Sequence, residues 1–293
     1  MTFSIVGYDP GTGDLGIVVS TARLAVGSRV PWLEAGVGAV ATQSVTNASF
    51  GPMILRLLRE GTAPDAALAE AVATDPGRAQ RQVAVIDVRG RTAAWTGEEC
   101  KDWRGQRFAD HVVAAGNILV GEGVLTESLR AYGAAGGELR DRLLAAYRAG
   151  QDAGGDRGGV QSAALRVERI NVFPYIDLRV DDHPSPVDEL ERLAGLIEAI
   201  APRLPRLRLT TPTTVVAACP FDLLVEDDAG PVAGIALTVD GRSLGMTDGE
   251  GHLRATLAAP GDHYLAAAEP ATPNRAPIGY RYVPAVAWIS ATG

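Results

Sequence analysis

Residues 2–21, TFSIVGYDPGTGDLGIVVST, decide how the rest of the chain is read. Inside them, GTGDLG (11–16) matches the G-x-G-x-x-G dinucleotide fingerprint letter for letter. That fingerprint needs a helix after its glycines, because the pyrophosphate rests on the helix N-terminus. Here DLGIVVST (14–21) follows, a β-branched run, so PGTG is a turn and residues 2–9 and 14–21 form a hairpin. A chain that opens on a hairpin points away from a doubly wound parallel sheet.

The pattern continues outward from that hairpin. A third strand is expected at 37–45, after a loop containing Pro31 and Trp32, followed by helices at 52–60 and 62–73, with Thr62 as N-cap and Pro64 in the first turn. Strands return at 82–88, 91–97 and 111–117, then helices at 123–133 and 138–150. The glycine-rich loop GGDRGG (154–159) leads into strands at 160–169 and 175–182. Last comes a helix at 185–201, which opens with Ser185 at N-cap and Pro186 at N1. Hairpin-linked strands with paired helices suit two packed antiparallel sheets with helices outside them. The expected fold is therefore α+β, a four-layer αββα sandwich over residues 1–203. The proline-rich stretch 204–213 reads as a linker, and the short strands of 214–293 read as a small all-β sandwich. GPVAGIALTVDGRSLGMTDGEGHLRATLAAPGDHYLAAA (230–268) resembles a prealbumin-like or immunoglobulin-like repeat, which implies a fold and no ligand.

The formal net charge of −8 excludes a general binder of nucleic acid or anionic membrane, because phosphate neutralisation needs clustered cations. Lys101 is the only lysine, so almost no position can host a lysine base. Cys100 and Cys219 are expected as reduced core residues. With no membrane-length apolar run and no leader pattern, a cytoplasmic protein is expected. Its expected partner is a small-molecule or peptide-like substrate, and a homo-oligomer is compatible with the sequence.

His111, His183, His252 and His263 are scattered without ligand spacing, and TDGEGH (247–252) lacks the spaced acids of a calcium loop. Neither metal nor cofactor is expected. No G-x-S-x-G elbow occurs, and neither cysteine has a histidine partner in sequence. Attention therefore falls on the strand-leading Thr2. Methionine aminopeptidase removes Met1 when the second residue is small, which frees an amine with a pKa of roughly 7.7–8.0. Such an amine can take the proton of its own residue's hydroxyl, so nucleophile and base come as one residue.

The blocks TFSIVGYDPGTGDLGIVVST, AVGSRVPWLEAGVGAVATQ, DPGRAQRQVAVID, AAGNILV, GGDRGGVQSAAL and YIDLRVDDHPSPVDEL resemble the domain of unknown function 1028 family, which is grouped with the N-terminal nucleophile hydrolases. The resemblance runs from Thr2 to about Ala201 and implies the αββα sandwich with a threonine at the mature terminus. It further implies a polar residue ending the second strand, Ser20 or Thr21, and an oxyanion group near Gln43, Ser44 or Asn47. Asp156 is implied beside the terminal amine. Proteasome-like members carry a lysine after the second strand where this chain has none, so Arg23, Arg29 or a water must substitute, or the amine must work alone. Asn117 and Arg157 are candidate substrate contacts, Arg157 through bidentate pairing with a carboxylate. The expected function is hydrolysis of a small amide or peptide-like C–N bond through an acyl-enzyme on Thr2. The alternative is a metabolite-binding protein without catalysis on the same scaffold.

Overall fold

The computed structural model describes residues 2–169, 174–200, 206–268 and 284–293. They group into two compact units, Met1–Asp9 with Asp14–Ile197 and Pro10–Gly13 with Glu198–Gly293. The first unit is α+β with antiparallel sheets. In chain order it contains β1 (Thr2–Tyr8), β2 (Leu15–Thr21), β3 (Pro31–Glu34), β4 (Gly38–Ser44), α1 (Phe50–Arg59), α2 (Pro64–Ala73), β5 (Arg81–Asp87) and β6 (Thr92–Thr96). Then follow β7 (Arg104–Ala109), β8 (Val112–Asn117), α3 (Gly123–Ala134), α4 (Leu139–Asp152), β9 (Ser162–Glu168), β10 (Ile176–Val180) and α5 (Pro186–Ile200).

One sheet runs β10-β9-β2-β1-β8-β7 and the other β3-β4-β5-β6, antiparallel throughout. Every residue of β1, β2 and β8 is buried, the mark of strands covered on both faces. Alternation along β1 divides the two coverings. Phe3 and Ile5 enter a core with Leu125, Leu139, Leu143 and Tyr147 of α3 and α4. The alternate set, beginning with Thr2 and Ser4, projects from the opposite face, and β1 lies against β4 and β5 of the second sheet. On that second sheet, Val40, Val83 and Val85 pack with Ile54, Leu58, Leu68 and Val72 of α1 and α2. Gly150 lets α4 come down on β1, since a Cβ there would stand 2.7 Å from the Phe3 ring.

Several details differ from the sequence reading. Pro31–Glu34 is a strand rather than part of a loop, and β7 was not foreseen. With three of its six residues exposed and the sequence RGQRFA, β7 has the polar edge-strand texture that hides a strand from hydropathy. Helix α2 starts at Pro64 with Ala63 as its cap, so Thr62 does not cap it, because proline sets the first helical position. Cys219 is exposed rather than in a core, while Cys100 is buried, and both are free.

Beyond the end of α5, the second unit is all-β among its described residues. Its strands are β11 (Arg208–Thr210), β12 (Thr214–Val216), β13 (Pro220–Asp227), β14 (Gly230–Pro231), β15 (Ala236–Val239), β16 (Arg242–Met246), β17 (His252–Thr256), β18 (Gly261–Ala268) and β19 (Ala285–Thr292). β11, β14 and β17 pair with β13 in one sheet, and the other runs β12-β19-β18-β15-β16 around a core including Leu223, Val225, Leu237, Leu265 and Ile289. The stretch expected as a linker, 204–213, is corrected in part. Residues Arg208–Thr210 pair with β13, and Leu207 is buried in this core, because alternating leucines there supply a half-buried strand. No helix among the described residues is long and apolar enough to cross a membrane.

Candidate functional site

Thr2 begins β1 directly opposite Asn117, the last residue of β8. Its hydroxyl lies 3.3 Å from the hydroxyl of Thr21, the last residue of β2. Register explains the pairing. Phe3 is opposite Ser20, so Ser20 shares the helix-facing side and Thr21 shares the side of Thr2. Accordingly the Ser20 hydroxyl accepts from Gln151 Nε2 of α4 at 3.4 Å, and the same amide reaches Tyr147 Oη at 3.2 Å. Burial pushes the Tyr147 phenol well up, with the Ser20 hydrogen bond acting against it. Of the two sequence candidates, Thr21 therefore stands beside Thr2 and Ser20 faces the helix layer.

Gln43 of β4 reaches across to the first sheet. Its Nε2 donates to Gln82 Oε1 at 2.8 Å and to the Ala115 carbonyl at 3.2 Å, with the Thr2 carbonyl a longer 3.5 Å away. Gln82 of β5 answers from its own amide with bonds to the Gly116 carbonyl at 2.9 Å and Thr96 Oγ1 at 2.9 Å. Asn117 Nδ2 also donates to Gln82 Oε1, at 3.0 Å. All three amides are at most 1% exposed, so this ladder is a polar staple between the sheets at the Thr2 end. The two hydrogens of Gln43 Nε2 are committed to the staple, whereas Asn117 Nδ2 gives one hydrogen and keeps a second.

Asn47 lies elsewhere. Its Nδ2 donates to Asp75 at 2.8 Å, and its own oxygen accepts from Ser49. The Arg81 guanidinium, with Asn47 second, holds the Asp75 carboxyl down at about 2. Asn47 thus braces a loop and does not meet Thr2. Arg157 is also spent locally, donating to the Asp102 carbonyl at 2.5 Å on an exposed surface.

Asp156 is delivered by Gly154 and Gly155, whose φ values of 108° and 54° suit glycine. The loop is tied to the strand-end that follows Asn117, with Arg157 N–H donating to the Ile118 carbonyl and Val120 N–H to the Gly155 carbonyl. One Asp156 oxygen accepts from Gly158 N–H at 2.8 Å. The other is buried without a hydrogen-bond partner. Burial pushes the Asp156 carboxyl up, and the Gly158 N–H pulls against that.

A cleft of about 780 Å³ opens at this end of the hairpin. Thr2, Thr21 and Asn117 line it, with Arg23, Leu24 and Arg29 from the segment after β2, Ser44 to Thr46 at the end of β4, and Lys101 before β7. No lysine follows β2, as the sequence shows, but the only lysine of the chain lines the cleft from a distant loop. Ile118 N–H fixes that loop by donating to the Lys101 carbonyl at 3.1 Å. No local motif announces this placement, because the β1–β8 pairing creates it.

Backbone strain gathers at the same place. Ser44 at φ 70° and Ile118 at φ 59° both line the cleft, and Ala25 at φ 57° sits between two lining residues, Leu24 and Val26. Left-handed geometry at a residue with a Cβ costs roughly 1–3 kcal/mol and persists only where surrounding structure enforces it. For a β-branched residue such as Ile118 it is a clear outlier. Among the described residues, no group of three or more His, Cys, Asp or Glu side chains could hold a metal ion. The cleft assembles a buried hydroxyl pair, a spare amide hydrogen and cations on its walls, while the buried Asp156 carboxylate, with one unpaired oxygen, is not among the lining residues.

No curated protein matches the chain. Among solved structures, protein SPO2555 from Silicibacter pomeroyi, whose description gives the family model DUF1028, is 35% identical, with 67% of this chain and 89% of that one covered at a TM-score of 0.63. The fibronectin(III)-like modules of Clostridium thermocellum CbhA are 11% identical, with 96% of this chain and 87% of that one covered, but a TM-score of 0.23 carries no argument. The model described as "Family of unknown function (DUF1028)" matches residues 2–190, the hairpin, both sheets and every cleft residue among them, and the chain belongs to that family.

Proposed function

We propose that the chain is an N-terminal-threonine hydrolase of a small amide or peptide-like C–N bond, built on the four-layer αββα scaffold of the N-terminal nucleophile hydrolases. The observation that carries the reading is Thr2 itself: a strand-leading hydroxyl, 6% exposed, that lines a cleft and has the Thr21 hydroxyl 3.3 Å away. Further support comes from the contacts of β1 and β8 with β5 of the second sheet, and from helix pairs packed on each sheet.

The reading requires removal of Met1, which lies outside the described residues. The freed amine takes the Thr2 hydroxyl proton as Oγ1 attacks the carbonyl carbon. We assign the oxyanion to the second hydrogen of Asn117 Nδ2 and to the backbone N–H groups of Ser44 and Thr46, in place of the Gln43 amide and of Val45 N–H, which donates to the Gln80 carbonyl at 3.2 Å. The tetrahedral adduct collapses, the C–N bond breaks, and the proton passes from the amine to the leaving nitrogen. Water then cleaves the Thr2 ester, which releases the acid and restores the hydroxyl. In this scheme Asp156, through its unpaired oxygen, holds the protonated amine. The protein acts in the cytoplasm, and the second unit is a prealbumin-like or immunoglobulin-like module.

Intact mass of the purified chain and labelling with a β-lactone test the reading. A chain lacking Met1 that takes one equivalent of label on Thr2, with labelling and turnover abolished in Thr2→Ala, is the expected outcome. Retention of Met1, or unchanged turnover in folded Thr2→Ala, overturns it and leaves a binding protein on the same scaffold.

A further inference from the structure

The cations of the cleft stand apart from the others of the first unit in lacking partners. Arg23, Arg29 and Lys101 line the cavity, and their side chains make neither hydrogen bond nor ion pair among the described residues. Almost every other described arginine of this unit is engaged: Arg59 with Glu34, Arg81 with Asp75, Arg91 with Asp87, Arg142 with Asp9, Arg148 with Glu191 and Arg169 with Asp14. Arg78 is the remaining exception. In a chain of net charge −8 there is no shortage of acids to pair with, so three unpaired cations around one cavity are not a product of composition.

The backbones that carry them are nevertheless held. Ser162 Oγ donates to the Arg23 carbonyl at 2.6 Å and accepts from Val26 N–H at 3.0 Å, and Ala25 N–H donates to the Asp181 carbonyl at 3.0 Å. Lys101 is fixed through its carbonyl by Ile118. The lining contains a single acid, Glu99, whose Oε2 accepts from Gln80 Nε2 at 2.8 Å. Fixed backbones with uncommitted cationic side chains are preorganised for an anion, and a cleft concentrates their field. Between them the wall is apolar: Leu24 is 59% exposed and Val45 52% exposed, with Val26 and Val30 beside them.

We propose that the cleft selects amides that carry a carboxylate and an apolar side chain, the chemistry of an N-acylated amino acid, with the carboxylate taken by Arg23 and Arg29 and by Lys101. This rests on the hydrolase reading of the same cleft for its reaction, but not for its binding step. Arginine's planar fork meets a carboxylate bidentately, and Leu24 and Val45 cover the aliphatic part. A cavity of about 780 Å³ is of the size that holds a ligand of this class.

Binding is measured by calorimetry on the full chain bearing Thr2→Ala, with N-acetyl-leucine and N-octanoyl-leucine against the matched leucinamides. The carboxylates are expected to bind about tenfold or more tightly than the amides. The preference should shrink in Arg23→Ala and in Arg29→Ala, and weaken with rising salt. Lys101→Ala should lose less, because a flexible ammonium makes no fork. Equal or tighter binding of the amides, an unchanged preference in both arginine variants, or no binding of either carboxylate overturns the proposal. Selective carboxylate binding by a chain that keeps Met1 and turns nothing over would sustain this proposal while defeating the hydrolase reading.

Discussion

The two ends of the first hairpin treat charge in opposite ways. At the far end, Asp14 and Arg169 are 1% and 4% exposed and joined by two hydrogen bonds of 2.8 and 2.7 Å. Arg169 also lies 3.7 Å over the Tyr175 ring, and Tyr175 Oη donates to Glu138 at 3.2 Å. Asp9 accepts from Arg142 at 2.7 Å. Burial pushes the Asp14 carboxyl up, and the Arg169 guanidinium pulls it back. At the Thr2 end, neutral hydroxyls and amides occupy the buried positions of the cleft, the buried Asp156 carboxyl beside it has no ion pair among the described residues, and the cations stand unpaired on the cleft walls. A closed charge pair specifies structure. A charge left open within a cleft is held in reserve for a ligand.

The largest test of that contrast removes one cation from each end. Arg169→Leu takes the guanidinium away from the buried Asp14 carboxylate, so a loss of about 3–5 kcal/mol in unfolding free energy is expected by denaturant titration. Arg29→Leu should stay within about 0.5 kcal/mol of the parent chain. Equal losses at both ends would break the distinction, because Arg29 would then be structural as well.

Next in size is Asp156→Asn. The replacement is nearly isosteric and deletes the buried charge whose second oxygen has no partner. If Asp156 holds the terminal amine, turnover falls by about tenfold to hundredfold. The sign for stability follows from its raised pKa in the folded chain. The ionised form is disfavoured by folding, so Asp156 weakens the fold as pH rises past the unfolded carboxylate range. The amide variant should therefore leave the melting temperature at neutral pH equal or higher. A lower melting temperature with unchanged turnover would move Asp156 to the structural side of the comparison.

How much of this was legible depends on range. The opening hairpin and the strand-leading Thr2 were readable because β-branched runs and a glycine turn are local signals. The choice between Ser20 and Thr21 turns on a one-residue parity that only register fixes, and Phe3 opposite Ser20 fixes it. Gln43 was legible as a strand-end amide, but not its commitment to Gln82 on the next strand. Asn47 was drawn away by Asp75, and Lys101 was brought in by β8, both through contacts between segments distant in sequence.

A smaller effect comes from Asp75, which braces the cleft loop through Asn47 and Arg81, while Arg81 also donates to the Val45 carbonyl at 2.7 Å. Its pKa falls from 3.8 to about 2 on folding, so it stabilises the chain above the unfolded value and that contribution is lost as pH drops through about 2. Discounted for partial solvent screening, the gain at neutral pH is about 1–2 kcal/mol. In Asp75→Asn the difference from the parent should be full at pH 7 and shrink steadily below about pH 4. A difference that stays constant across this range would mean that shape and hydrogen bonding, rather than charge, fix the loop.

The smallest effect tests whether strain belongs to the reactive end. Ser44 holds φ at 70° where it lines the cleft, and a left-handed residue with a Cβ costs about 1–2 kcal/mol. Ser44→Gly removes that strain but adds about 0.4–1 kcal/mol of unfolded-chain entropy, so the net change should lie between zero and about 1.6 kcal/mol of added stability. If the strain serves to aim the 44–46 backbone at the oxyanion, the same variant should lower kcat with little change in KM, because glycine lets that backbone relax. A variant that is less stable, with kcat intact, would show that the Ser44 side chain supports the loop and that the strain has no share in the chemistry.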